Sequence, residues 1–229
     1  MSEKKTNNTG DEKAAGDWME QLPGVMGNIT ENKTRITYLK GETILKQGAF
    51  APYILYVVKG LIKVYLQTGF EKQINLSLAK TGEFLAFSSI FGENIHTYSA
   101  QALKDSVICM IEKESLKEVL LNNPEFALEV TSKNYRNERH LLEIIKNISY
   151  KQMRGKLASG LLYLSDEEFL KENVFQFLTR QEIADFAGIS TESAIKFLKE
   201  FEKEKMVKLH GKNIEIADRK RLENISKTS

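Results

Sequence analysis

The sequence contains few cysteines and histidines, the side chains most used in redox chemistry and in transition-metal sites. It contains one cysteine, Cys109, and three histidines, His96, His140 and His210. One cysteine cannot form an internal disulfide bond, and it cannot ligate an iron–sulfur cluster by itself. Cys109 also lies in the apolar run 107–111, so we expect a buried strand residue rather than a redox switch.

Long apolar stretches are also absent. No run approaches the roughly 18 apolar residues that a membrane-spanning helix needs, so we expect no membrane partner. Residues 1–16 are polar and charged and lack the apolar segment of a signal peptide, so the expected location is the cytoplasm. We expect residues 1–20 to be disordered. The hydrophobic content of 41% is sufficient for one large or two small domains.

The charges of the chain are nearly balanced. There are 33 basic and 31 acidic residues, which give a net charge of +2. Such a balance is weak evidence for nucleic-acid binding unless the basic groups are concentrated on one face. A DNA-binding hypothesis therefore has to rest on a local pattern.

Residues 178–196 contain such a pattern, which we interpret as two short helices joined by a turn. Thr179 is followed three residues later by Glu182, and this spacing is typical of a capping box at a helix start. Gly188 tolerates the left-handed conformation that ends many helices. The pattern predicts a helix-turn-helix.

The second of these helices is the right size to enter a DNA major groove. Ser190 or Thr191 can cap it. The helical repeat predicts a buried side with Ala194, Leu198 and Phe201 and an outward side with Glu192, Lys196, Lys199 and Lys203. Glutamate can accept a hydrogen bond from cytosine, and lysine can donate to guanine or to phosphate. An ordinary helical hairpin with a solvated charged face is the alternative.

Two further regions have different patterns. Within residues 35–113, runs such as 63–67 and 74–78 alternate between apolar and polar side chains, and glycines are spaced about ten residues apart, which predicts many short strands in a barrel or roll. From Pro124 to Ile148 the chain contains no other proline and no glycine, which predicts a long helix. Leu141, Ile145 and Ile148 are spaced like a coiled-coil seam. We interpret this helix as a dimer helix, and a surface helix packed on its own roll is the alternative.

The remaining segments complete the predicted DNA-binding region. Residues 151–164 are expected to form a helix, and residues 166–174 an acidic connection. Two alternating runs on either side of 210–213 predict a hairpin. A helix-turn-helix followed by a hairpin is a winged helix-turn-helix.

The chain resembles the CRP/FNR superfamily of bacterial transcription regulators over about residues 30–218. The likeness lies in 40–48 (KGETILKQG), 53–60 (YILYVVKG), 179–184 (TRQEIA) and 210–212 (HGK). It implies an α+β fold with an N-terminal antiparallel, jelly-roll-like β-roll, a long dimerisation helix and a C-terminal winged helix-turn-helix. We assign these to residues 21–123, 124–149 and 150–229, after the disordered segment 1–20.

The resemblance implies a homodimer that binds double-stranded DNA and acts on RNA polymerase. Glu192 matches the glutamate that is usual in the family, whereas Lys196 stands where arginine is usual and lacks its flat fork of donors. The predicted DNA-binding residues occupy base-reading and phosphate-contacting positions, the helix caps and the wing. They are Thr179, Arg180, Ser190, Thr191, Glu192, Ser193, Lys196, Lys199 and Lys212.

The sequence departs from family members that sense cyclic nucleotides. Those proteins use a glutamate for the ribose and an arginine–serine pair for the phosphate, where this chain has Phe87, His96 and Thr97. A neutral histidine cannot replace a permanently charged, bidentate guanidinium, so we expect no tight binding of cyclic AMP. The predicted effector pocket would comprise Phe87, Ser88, His96, Thr97 and Tyr98.

We therefore predict a transcription regulator with no resident cofactor or metal, controlled at the β-roll by a signal other than a cyclic nucleotide, for which an unknown small molecule is one candidate. Haem bound by His96 or His140 is a minor alternative, since a lone histidine is more often structural. A constitutive DNA-binding protein with a vestigial sensor is the second interpretation. An enzyme on a cupin-like roll is disfavoured, because the three histidines fall in different predicted elements and form no metal cluster in the roll.

Overall fold

The computed structural model of the chain describes residues 34–69, 72–92 and 94–228, without side chains for 133–139 and 228. The prediction of a disordered segment over 1–20 falls outside the described residues. Within them, an N-terminal β region is followed by a long helix and a C-terminal region of helices and one hairpin.

The N-terminal region consists of two four-stranded sheets with the strand orders β1-β8-β3-β6 and β2-β7-β4-β5. All strand pairs are antiparallel, which confirms the predicted roll. The strands are β1 (Thr34–Tyr38), β2 (Thr43–Leu45), β3 (Tyr53–Lys59), β4 (Leu61–Gly69), β5 (Lys72–Lys80), β6 (Phe84–Leu85), β7 (Ser99–Ala102) and β8 (Ser106–Glu112).

The alternation of side chains along each strand explains how the two sheets pack against each other. Successive residues of a strand point to opposite faces, and Ile62 and Val64 of β4 face the apolar interior between the sheets together with Leu45 and Ala100. Cys109 lies in β8 and is buried, as predicted. This interior is the core of the N-terminal region.

The long helix is α2 (Pro124–Tyr150), which follows the short helix α1 (Lys113–Asn122). Pro124 occupies the first turn, and the Asn123 side chain caps the helix by accepting from the backbone N–H of Phe126 at 3.0 Å. Proline suits this position because it has no backbone N–H, and an N–H in the first turn would find no acceptor inside the helix. The long helix predicted from Pro124 is confirmed.

The C-terminal region contains the remaining helices and the hairpin. They are α3 (Met153–Leu164), α4 (Glu167–Lys171), α5 (Val174–Phe177), α6 (Arg180–Ala187), α7 (Thr191–Lys203), β9 (Val207–His210), β10 (Asn213–Ile216) and α8 (Arg219–Thr228). The interpretation of 166–174 as a plain connection was wrong, because α4 and the start of α5 lie there and bury Phe169, Val174 and Phe175.

One apolar cluster joins the two regions. The core of the C-terminal helices includes three buried residues of the roll, Leu61, Leu78 and Leu103. The roll and the C-terminal helices therefore share a packed boundary. Among the residues that the structure describes, no helix has both the length and the apolar character needed to cross a bilayer.

Candidate nucleic-acid interface

Helix α6 begins with the predicted capping box. The Thr179 hydroxyl accepts from the backbone N–H of Glu182 at 3.1 Å, and the Thr179 backbone N–H donates to the Glu182 carboxylate at 2.7 Å. The helix ends at Gly188, which has φ +62°. A Cβ at Gly188 would lie 3.4 Å from Cγ1 of Ile148, so the turn between α6 and α7 lies against the C-terminal end of α2.

Helix α7 has the two faces that the sequence predicts. Ser190 is its N-cap and accepts from the backbone N–H of Ser193 at 3.2 Å. Ala194, Leu198 and Phe201 are buried. Because these residues pack one side of the helix into the core, the charged residues lie on the opposite side.

The outward face of α7 is exposed to solvent. Glu192, Lys196, Lys199 and Lys203 are all exposed. Hydrogen bonds from its own backbone N–H and from Ser190 lower the pKa of the Glu192 carboxyl, so this carboxylate is ionised and can accept hydrogen bonds at neutral pH. The face thus presents one acceptor and three exposed cationic donors, as base edges and phosphates require.

The predicted wing is the hairpin β9–β10, whose two-residue turn contains Gly211 with φ +62°. The Arg180 guanidinium donates to the carbonyl of Gly211 at 2.7 Å and to that of Lys212 at 3.4 Å. At the base of the wing, the backbone N–H of Leu209 donates to Glu202 at 3.1 Å. The wing is thus attached to both helices of the helix-turn-helix.

These contacts bring the predicted DNA-binding residues onto one surface. Arg180 joins the start of α6 to the wing tip at Lys212, and Thr191 at the start of α7 donates a hydrogen bond to Gln181. The N-termini of two helices, which attract anions, are therefore linked to each other, and the first of them is linked to the wing tip. The hydroxyls of Ser190 and Ser193 form the cap of α7.

The five predicted effector residues are not gathered in one cluster. Phe87 packs against the outer side of β3 and its ring centroid lies 5.8 Å from that of Phe84, whereas Tyr98 packs against the interior of the roll. Ser88 and Thr97 are exposed. His96 is partly buried, and burial together with nearby Lys113 lowers its pKa, so its ring is neutral at pH 7.

Leu141 and Ile145 of the predicted dimer seam lie on the solvent side of α2, whereas Ile148 also lies against the turn between α6 and α7. Leu141 is 39% exposed, Ile145 60% and Ile148 37%. Leu142, which the seam spacing did not select, is 61% exposed, whereas Ile144, which flanks the seam on its other side, is only 9% exposed. Among the residues that the structure describes, the helix therefore has an exposed apolar stripe besides the side that packs on its own chain.

Sequence reasoning missed several residues that contact the helix-turn-helix from the roll. Lys63 of β4 forms an ion pair with Glu182 at 3.0 Å, and Gln73 and Asn75 of β5 form hydrogen bonds with α6. The only signal was Lys63 itself, a charged residue inside the apolar run 61–64. Within the described ranges, no group of His, Cys, Asp and Glu side chains is placed to hold a metal ion.

Comparisons with known families match both regions. Residues 35–123 match the model of the cyclic nucleotide-binding domain, and residues 155–225 match that of the Crp-like helix-turn-helix domain. The whole of α2 lies between the two matches, so the order of the parts agrees with the observed architecture.

Individual relatives have the same arrangement. The chain is 25% identical over 181 residues to the cAMP-activated global transcriptional regulator CRP of Salmonella typhimurium, covering 77% of this chain and 86% of the relative. It is 22% identical over 212 residues to the CRP-like cAMP-activated global transcriptional regulator of Mycobacterium tuberculosis, covering 91% and 95%.

Among solved structures, the c-di-GMP responsive global regulator CLP of Xanthomonas campestris has a similar fold. Its TM-score is 0.73 at 16% identity, covering 84% of this chain and 98% of that one. A β-roll that matches one domain model and a winged helix-turn-helix that matches the other lie in one chain in the order found in these regulators. The chain belongs to the CRP/FNR family of DNA-binding transcription regulators.

Proposed function

We propose that this protein is a homodimeric regulator that binds specific DNA sequences and responds to a signal other than cyclic AMP. The observation that supports this most directly is the exposed charged face of α7 beside a wing held by Arg180. Glu192 and Lys196 would read base edges, while Lys199 and Lys212 would contact phosphates. RNA polymerase is the expected protein partner.

The apolar stripe of α2 supports the dimer. Leu141, Leu142 and Ile145 are exposed in one protomer, and burying such a stripe against a second copy is favourable at about 25 cal/mol per Å². A two-fold dimer would present two α7 helices to half-sites about 34 Å apart, which is one turn of DNA.

The experiment selects DNA from a random library with the purified full-length protein and then measures the affinity of variants. Lys196→Ala should flatten discrimination at one base pair by about ten-fold, because one lysine–base contact is lost. Lys199→Ala should weaken all sites alike and reduce the salt dependence by about one phosphate contact. If both variants bind the selected site as wild type does, α7 does not read DNA.

The sensor is proposed to exclude cyclic AMP. The Phe87 ring packs among apolar residues, and the lowered pKa of His96 leaves it without the permanent charge that a cyclic phosphate needs. Titration calorimetry with cyclic AMP should therefore detect no binding at micromolar concentrations. A dissociation constant in the low micromolar range would contradict this part of the proposal.

A constitutive regulator with a vestigial sensor is the second candidate. It is supported by Phe87, His96 and Thr97, which stand where cyclic nucleotide-sensing relatives have a glutamate and an arginine–serine pair. Ligand-free purified protein would then bind its selected site with full affinity, and no small molecule would change that affinity. An effector-controlled protein would instead bind at least several-fold more tightly or more weakly when its ligand is present.

A further inference from the structure

A polar contact joins the sheet of the roll to the first helix of the helix-turn-helix. Lys63 Nζ lies 3.0 Å from a Glu182 oxygen, and Asn75 Nδ2 donates to the Glu182 carbonyl at 3.0 Å. Gln73 Nε2 donates to Asp185 at 2.9 Å. These bonds connect β4 and β5 to nearly one turn of α6.

The contact is buried, so each of its polar groups needs a well-aligned partner within the protein. The Lys63 side chain is 5% exposed and that of Glu182 is 15% exposed, while Asn75 is 0% exposed. Removing one partner of a buried ion pair leaves an uncompensated charge, whereas replacing both partners by neutral groups is often well tolerated. Each bond also requires alignment of donor and acceptor, so together they select one position of α6 on the sheet.

The same edge of the sheet is held by two aromatic side chains. Strand β5 ends the sheet order, and unpaired backbone groups of an edge strand need partners. The backbone N–H of Leu78 donates to the Tyr163 hydroxyl at 2.9 Å, and the Leu76 carbonyl lies 2.9 Å from His140 Nε2. Exchange of the Leu78 amide hydrogen therefore reports directly whether the two regions are docked.

Strand β4 belongs to both cores. Ile62 and Val64 face the interior of the roll, whereas Leu61 belongs to the cluster shared with the C-terminal helices and Lys63 reaches Glu182. A shift of β4 inside the roll would therefore move Lys63. Glu182 in turn caps α6 through Thr179, at the end of the helix that lies beside the wing.

We propose that Lys63 is a positioning residue of the DNA interface, which acts from the roll through Glu182. By compensating the negative charge of the buried Glu182 carboxylate, Lys63 keeps α6 docked on the sheet and fixes the direction in which α7 points. In a dimer this would set the spacing of the two α7 helices. The inference depends on the proposed DNA-binding function, and it adds that the roll is a working part of the DNA-binding geometry.

The test compares Lys63→Met with the double variant Lys63→Met/Glu182→Gln in the full-length protein. Glutamine can still complete the capping box, so the double variant removes the buried charges and keeps the cap. Lys72→Met is the matched control, because Lys72 lies on the same sheet and is exposed. Affinity for the selected DNA site and exchange of the Leu78 amide are measured for each, after circular dichroism has shown that the variant is folded.

Lys63→Met should weaken DNA binding by at least ten-fold and accelerate Leu78 exchange by at least ten-fold. The double variant should return to within about three-fold of wild type, and Lys72→Met should equal wild type. Unchanged or tighter DNA binding by Lys63→Met would overturn the inference, as would a double variant as weak as the single one. If wild type selects no DNA, the proposed function fails, whereas unaltered Leu78 exchange in Lys63→Met would refute the docking role by itself.

Discussion

Arg180 lies between the start of α6 and the tip of the wing, and its guanidinium donates to the carbonyls of Gly211 and Lys212. The sequence comparison with the family suggested a phosphate contact for this residue. An arginine whose donors hold a turn would support DNA binding indirectly, by placing Lys212 next to the helix N-termini. The two roles make different predictions for a pair of substitutions.

Replacing Arg180 by lysine should weaken DNA binding by about three- to ten-fold, because lysine lacks the planar fork that serves two carbonyls at once. If Arg180 acts through the wing, its effect should largely disappear in a Lys212→Ala background, and the double-mutant cycle should give a large interaction energy. Fluorescence anisotropy on the selected site at several salt concentrations measures all four proteins.

Lys199→Ala is the matched comparison for this cycle, since Lys199 is exposed on α7. Its effect should add to that of Lys212→Ala. Additive behaviour of Arg180→Lys with Lys212→Ala would contradict the wing role and would indicate that Arg180 contacts phosphate directly.

At the scale of single elements, one side of helix α2 packs on its own chain and another side is exposed to solvent. Ile144 is 9% exposed on the side facing its own chain, whereas Ile145 is 60% exposed. His140 stacks on Tyr163 of α3 with ring centroids 4.0 Å apart. The inward side thus joins the long helix to the C-terminal region, and the outward side is free for a second protomer.

Ile145→Glu should raise the dissociation constant of the dimer by at least 100-fold, because it places two like charges close to the two-fold axis in an apolar seam. The monomer should retain its fold, since this side chain is already exposed to solvent. Sedimentation velocity measures the association. Leu121→Glu on α1, at a residue that is 74% exposed, is the control and should leave the dimer intact. An Ile145→Glu protein that remains dimeric would exclude the α2 stripe as the interface.

At the scale of the whole molecule, the boundary between the roll and the C-terminal helices contains a partly buried histidine. His140 lies at this boundary, with Nε2 directed at the Leu76 carbonyl. Burial lowers its pKa and outweighs the opposite effects of the Leu76 carbonyl, Asp166 and Glu143. The unfolded chain therefore binds a proton on this group at a higher pH than the folded protein does.

The free energy of unfolding should consequently fall as the pH drops below about 6.5, the ordinary pKa of histidine, and should be insensitive to His140 above it. His140→Gln keeps an amide donor for the Leu76 carbonyl and cannot titrate, so its stability should change less between pH 7.5 and 5.5. Urea unfolding at the two pH values checks this. His96, whose pKa is also lowered, contributes equally to both proteins and cancels in the comparison. An identical pH dependence in the two proteins would contradict the prediction.

The sequence predicted features that depend on neighbouring residues better than contacts between residues far apart in the chain. The capping box of Thr179 and Glu182, the turn at Gly188 and the buried face of α7 depend on residues a few positions apart, so local patterns were enough to predict them. The helices α4 and α5 were missed because they are too short for a clear helical period. The contacts of Arg180 with the wing and of Lys63 with Glu182 join residues far apart in the chain, and no local pattern reports such pairs.

The sequence by itself determined the kinds of element and their order: a roll of short strands, a long helix that begins at Pro124, and a capped helix pair followed by a hairpin. Hydrophobic period and capping are encoded within a few turns of the chain, so they can be read before any packing is known. Only the tertiary structure decided that α6 docks on β4 and β5 and that Glu182 serves both a cap and an ion pair. Such contacts depend on where two independently formed surfaces meet, and many distant residues set that position together.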